Sequence, residues 1–177
     1  SNEAPCGSIA FNRPCQMADL HEDAEIAPLG RGCKTQSELV FVVEDDADLR
    51  EALIELLQSN GYTTVGCSSA LEFTQLHKQA DSGCVILDIR LPGRDGLSIL
   101  EALEAQQSSL VAVVLSGLSD PVIAAKCMKL GAHEYLAKPF HEIELLRATE
   151  RAIGSSRVAY CRNQSRALLQ QLFSKLT

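Results

Sequence analysis

The chain has no C-x-x-C pair, no apolar run near membrane-spanning length and fewer basic than acidic residues, and each shortage removes a class of function. Its seven cysteines, at 6, 15, 33, 67, 84, 127 and 161, are odd in number and scattered, some of them in apolar surroundings. That pattern reads as reduced thiols rather than a disulfide framework. Cys6, Cys15 and Cys33 with His21 match no familiar zinc-ligand spacing, so no zinc site is expected there. No stretch approaches the ~20 apolar residues needed to cross a bilayer, and the N-terminus lacks the basic start and apolar middle of a signal peptide. A cytoplasmic protein is expected. With 16 Lys and Arg against 23 Asp and Glu, the formal charge is -7. This argues against nonspecific nucleic-acid binding by the chain as a whole, because phosphate contacts need basic side chains. It leaves room for an appended DNA-binding part.

What is present suffices for one domain with extensions: 177 residues, 46% of them hydrophobic. Residues 1–37 hold three of the six prolines and an acidic patch at Glu22, Asp23 and Glu25, without sustained periodicity. A flexible leader is expected. From Glu38 the punctuation becomes regular. Strands are predicted at Leu39–Val43, Tyr62–Gly66, Cys84–Leu87, Leu110–Leu115 and His133–Leu136. Helices are predicted at about Ala47–Ser59, Ser69–Ala80, Gly96–Gln106, Pro121–Leu130 and Glu142–Ile153. The second helix opens on Ser69-Ala70-Leu71-Glu72, a capping-box pattern. Five strand-helix repeats with continuously apolar strands imply an α/β fold, a flavodoxin-like, doubly wound, five-stranded parallel sheet covered on both faces.

In such a sheet, ligands bind at the carboxyl ends of the strands. The residues there are Glu44-Asp45-Asp46, Asp88, Ser116-Gly117 and Lys138-Pro139. Crowded carboxylates require a cation or a raised pKa. Taken singly, each residue has an ordinary role open to it. Glu44 or Asp45 would suit a helix cap, Asp46 is expected to be that cap, Ser116 would bond backbone at a strand end, Lys138 would be solvated and Tyr135 would pack. His77, His133 and His141 read as surface or packing histidines.

Four ordered motifs resemble the receiver domains of two-component response regulators over about residues 38–154. They are Val42-Val43-Glu44-Asp45-Asp46, Val85-Ile86-Leu87-Asp88-Ile89-Arg90-Leu91-Pro92-Gly93-Arg94-Asp95-Gly96, Val114-Leu115-Ser116-Gly117 and Tyr135-Leu136-Ala137-Lys138-Pro139-Phe140. The resemblance implies that Asp88 accepts a phosphoryl group from a histidine kinase or phosphotransfer protein. It implies Mg²⁺ held by Asp45, Asp88 and the Arg90 backbone carbonyl, with Glu44 acting through water. Lys138 would offer its charge to the phosphoryl group, Ser116 and Tyr135 would be the switch pair, and the bond before Pro139 would be cis. Glu44 in place of the commoner Asp, and Ser116 in place of Thr, keep the needed chemistry. Leu118 stands where the family often has a polar residue, so slow self-hydrolysis is expected.

Residues 155–177 carry Arg157, Arg162, Arg166 and Lys175 and no acid, with Leu169, Leu172 and Leu176 on one helical face. This stretch reads as a helical linker that either pairs with a second copy or lies along the domain. Its end, Gln171-Leu172-Phe173-Ser174-Lys175-Leu176-Thr177, resembles the lead-in to a LuxR-type helix-turn-helix. That likeness implies a DNA-binding output domain in the full-length protein, absent from this chain. The expected organisation is therefore leader 1–37, receiver 38–154 and linker 155–177. The expected function is a phosphoaccepting switch rather than an enzyme, with a phosphorylation-coupled homodimer as a further expectation. The alternative is a Mg²⁺-dependent phosphatase or phosphotransferase using Asp88 as covalent nucleophile. Haloacid-dehalogenase-like enzymes share that logic but place a second Asp two residues after the nucleophile, where this chain has Arg90.

Overall fold

A computed structural model describes residues 39–91, 96–117 and 120–174. The expected leader, the cysteines within it, Leu118 and the last three residues lie outside the described residues.

Five strands form one parallel sheet: β1 (Leu39–Val43), β2 (Thr63–Cys67), β3 (Gly83–Asp88), β4 (Leu110–Ser116) and β5 (Glu134–Ala137). Their spatial order is β2-β1-β3-β4-β5. Side chains alternate across a strand, and here both faces are covered. Phe41, Val43, Val85 and Leu87 point into one core with Phe73, Leu100 and Leu103. Val40, Val42, Cys84 and Ile86 point into another with Leu53, Leu57, Leu145 and Ala152. Burial on both faces is why the central strands are apolar at every position rather than at alternate ones.

The helices are α1 (Ala47–Ser59), α2 (Ala70–Leu76), α3 (Leu97–Ala105), α4 (Pro121–Lys129) and α5 (Glu142–Ser174), with a 3-10 turn at His77–Gln79 after α2. Asp46 caps α1 by accepting from the Leu49 amide at 3.1 Å. Asp120 caps α4 through the Val122 amide at 2.8 Å, ahead of Pro121 in the first turn. The capping box at α2 is only half reciprocal. Ser69 accepts from the Glu72 amide at 3.3 Å, but the Glu72 carboxylate takes the Ser68 amide at 2.7 Å and the Ser68 hydroxyl at 2.9 Å. These two bonds, above all, hold the Glu72 carboxyl below its ordinary value.

The change of composition at Gly154 is not a break in the helix. Expected to end near Ile153, α5 continues to Ser174, because a glycine on an exposed helical face weakens a helix by only about 1 kcal/mol. Ser156, beyond that point, is buried, donates to the Ser109 carbonyl at 2.6 Å and accepts from the Gly83 amide at 2.7 Å. Two turns further along, Asn163 donates to the Gln107 carbonyl and the Ser109 hydroxyl, both at 3.0 Å. From Gln164 to Ser174 every residue is exposed.

Candidate functional site

The parallel order aims the carboxyl ends of all strands at one edge. β1 is followed at once by Glu44, and the Glu44 amide donates to the Cys67 carbonyl on β2 at 3.1 Å, carrying the sheet pairing one residue past the strand. Neighbouring β3 ends in Asp88. Both carboxylates are buried, Glu44 at 2% exposure and Asp88 at 6%, while Asp45 is exposed. Oxygens of Glu44, Asp45 and Asp88 lie within 4.8 Å of one another. An all-oxygen set from hard carboxylates fits Mg²⁺.

Lys138 reaches this cluster from the loop after β5, which begins with a cis Lys138–Pro139 bond. Its Nζ donates to Asp88 Oδ2 at 2.5 Å and to Glu44 Oε2 at 2.8 Å. The other Asp88 oxygen accepts the Arg90 amide at 2.9 Å. Burial raises the Glu44 carboxyl above its ordinary value; Lys138 pulls it down, but the nearby Asp88 charge adds to burial and the net shift is upward. Burial opposes the Lys138 ammonium, yet the hydrogen bonds and charges of Asp88 and Glu44 outweigh it and raise Lys138. The two carboxylates thus hold the ammonium firmly, whereas one ammonium does not fully offset what burial and mutual repulsion cost Glu44.

Ser116 is buried at the end of β4, one position beyond Leu115, the register partner of Asp88. Its carbonyl accepts the Lys138 amide at 2.7 Å, tying the β4 and β5 ends together. Tyr135 sits differently: it pairs in register with Val114, two positions back along the sheet, and packs half-buried against the core on the α2, α3 and α4 side. The fold therefore brings Glu44, Asp45, Asp88 and Lys138 together, places Arg90 on Asp88 through its amide and Ser116 on the adjoining strand end. It sets Tyr135 below that edge.

Two further residues shape the site: Gly96, which closes the Asp88 motif, and Arg50, which no motif contains. A Cβ on Gly96 would lie 2.6 Å from the Asp88 carbonyl oxygen and 2.9 Å from Ile89 Cα, so only glycine lets the chain return this close to β3. Arg50, in the first turns of α1, donates from Nη1 to the carbonyls of Glu44 at 2.7 Å and Asp45 at 3.3 Å. Side-chain length and reach, not sequence proximity, make that contact, and no motif advertises it.

A doubly wound sheet with an aspartate at the end of its central strand, flanked by two acids and a lysine, defines an aspartate-centred receiver architecture. Residues 40–150 match the response regulator receiver domain, and this chain belongs to that family. It is similar to the transcriptional regulatory protein FixJ of Azorhizobium caulinodans, 36% identical over 117 residues, which is 66% of this chain and 56% of that protein. Nodulation protein W of Bradyrhizobium diazoefficiens is 34% identical over 151 residues, covering 84% of this chain and 66% of the relative. The solved response regulator StyR superposes with a TM-score of 0.72 at 34% identity, covering 80% of this chain and 72% of that one. The chain thus spans between 56% and 66% of the length of these two curated relatives.

Proposed function

We propose that this chain is the phosphoaccepting switch of a two-component phosphorelay, taking a phosphoryl group onto Asp88 from a histidine kinase or phosphotransfer protein. The observation that carries the reading is the setting of Asp88 itself: buried at a strand end, one oxygen on Lys138, the other on the Arg90 amide, with Glu44 and Asp45 alongside. An Asp88 oxygen attacks phosphorus, the P–N bond of the phosphohistidine breaks, and the electron pair leaves with the imidazole. A carboxylate suffices as nucleophile when the charge on the phosphoryl oxygens is neutralised. Lys138 supplies one positive charge. Asp45, Asp88 and the Arg90 carbonyl would hold Mg²⁺ directly and Glu44 through water, and the ion would contribute further neutralisation.

Ser116 is the hydroxyl proposed to turn toward the new phosphoryl oxygens, with Tyr135 moving inward behind it. The added charge of about -1.5 to -2 is the local event. Repacking of the α4, β5 and α5 surface is the readout, and a homodimer formed on phosphorylation is its proposed consequence. The proposed organisation keeps a leader at 1–37, the receiver at 38–154 and a linker at 155–177. The output is transcription, through a LuxR-type DNA-binding domain in the full-length, cytoplasmic protein; FixJ, a relative, is by name a transcriptional regulator.

The test is incubation with Mg²⁺ and acetyl phosphate followed by intact mass. Wild type is expected to gain the mass of one phosphoryl group and Asp88→Asn none. An equal gain in the variant, or none in wild type, overturns the assignment.

A further inference from the structure

The β1–α1 connection is short: three consecutive acids, Glu44 to Asp46, separate the last residue of the strand from the first of the helix. Two of the three are tied down by other means. Glu44 is held by its amide on Cys67 and its carboxylate on Lys138. Asp46 is held as the helix cap, with its carbonyl accepting the first helical bond from the Arg50 amide at 2.9 Å. Asp45, between them, is exposed. Its carbonyl and that of Glu44 converge on one nitrogen, Arg50 Nη1, at 3.3 and 2.7 Å. A guanidinium nitrogen carries two hydrogens in a fixed plane, so one Nη can serve both carbonyls at once. Fixing two successive carbonyls fixes the two peptide planes that flank the Asp45 Cα, and with them the direction in which the Asp45 side chain leaves the backbone.

The helix dipole disfavours an arginine at this position. The first turns of a helix face the positive end of its dipole, where cations are disfavoured. The stem is accommodated by a bare patch on β2: a Cβ at Gly66 would come within 3.5 Å of Arg50 Cδ and 2.8 Å of Ile54 Cδ1. The guanidinium also helps, after the two Ser68 hydrogen bonds, to hold the Glu72 carboxyl below its ordinary value, which places Arg50 near the β2–α2 loop.

We propose that Arg50 is a positioning residue for the cation site: by clamping the Glu44 and Asp45 carbonyls it presets the Asp45 carboxylate for divalent-cation binding beside Asp88. The proposal rests on reading the acidic cluster as that site. Arg50 acts through the loop backbone, by its bonds to the Glu44 and Asp45 carbonyls.

The test measures, by isothermal titration calorimetry, the Mg²⁺ concentration that half-saturates the full chain, for wild type, Arg50→Ala and Arg50→Lys, with Leu53→Ala as a destabilised control. Loss of a hydrogen bond to a charged donor predicts a rise of about tenfold in that concentration for Arg50→Ala. Arg50→Lys should fall between wild type and Arg50→Ala, since an ammonium lacks the planar nitrogen that spans both carbonyls. Leu53→Ala should lower Tm and leave the half-point unchanged. At saturating Mg²⁺ the rate of labelling by acetyl phosphate should return to the wild-type rate in Arg50→Ala. A half-point within about twofold of wild type in Arg50→Ala, or a labelling rate that stays low at saturating Mg²⁺, overturns the proposal while leaving the phosphoacceptor reading in place. Wild type that shows neither a Mg²⁺ response nor labelling removes both.

Discussion

At Glu44, two requirements of one side chain conflict. It has to be buried to stand beside Asp88, and burial together with the Asp88 charge penalises its own charge more than Lys138 relieves it. Its folded pKa therefore lies above the ordinary 4.5. A carboxyl that binds its proton more tightly when folded contributes stability that is fully present below the unfolded value and is lost as pH rises through the folded one. In magnesium-free buffer, Glu44→Gln is accordingly expected to gain on wild type in Tm as pH is raised from about 4 to about 7. An offset between the two that stays constant across that range would refute the assignment. At this scale the identities of Glu44, Asp45, Asp88 and Lys138 were legible, because each ends an apolar run or follows one closely. Arg50 was not. Nothing in a run of residues tells how far a flexible side chain reaches back over a loop.

The elements were legible by the same punctuation, with one instructive exception. Apart from α5, strands and helices fall within a few residues of the predicted bounds, since apolar runs, the cap at Asp46 and the capping-box pattern at Ser69 mark their ends. The shift of composition after Gly154 suggested a boundary, but α5 stays on the body as far as Asn163 and its helical hydrogen bonds run on to Ser174. Ser156 shows the difference: it is polar, so it reads as linker, yet it is buried and joins the Gly83 amide at the start of β3 to the Ser109 carbonyl before β4. Gly83 is bound to its place, with φ of 148° and a would-be Cβ only 2.4 Å from the Leu39 carbonyl oxygen. Ser156→Ala strands both partners in a buried setting. The expected cost is about 2 kcal/mol, measurable by urea denaturation, and a loss below about 0.5 kcal/mol would show that water replaces the hydroxyl without penalty.

For the whole molecule, the consequence is a receiver whose final helix is anchored on the body through Ser156 and Asn163 and is exposed from Gln164 to Ser174. At 1.5 Å per residue, α5 is about 50 Å long, and its last part exposes Leu168, Leu169, Leu172 and Phe173. That apolar end and the proposed α4-β5-α5 readout surface motivate the phosphorylation-coupled dimer. Light scattering is expected to give a doubled mass with Mg²⁺ and a phosphoryl mimic such as beryllofluoride; one unchanged mass removes the coupled dimer. Among the described residues no helix is long and apolar enough to cross a membrane.

Sequence alone determined the strand-helix alternation, the doubly buried strands and the four side chains that gather at their ends, because periodicity and strand termini are local properties that a parallel sheet converts directly into position. Only the tertiary structure decided how the charges pair: that Lys138 divides itself between Asp88 and Glu44, that Arg50 holds the β1–α1 loop through the Glu44 and Asp45 carbonyls, and that Ser156 belongs to the body. Those outcomes depend on distances between residues up to 94 positions apart in the chain. Such distances exist only once five strands have been brought side by side.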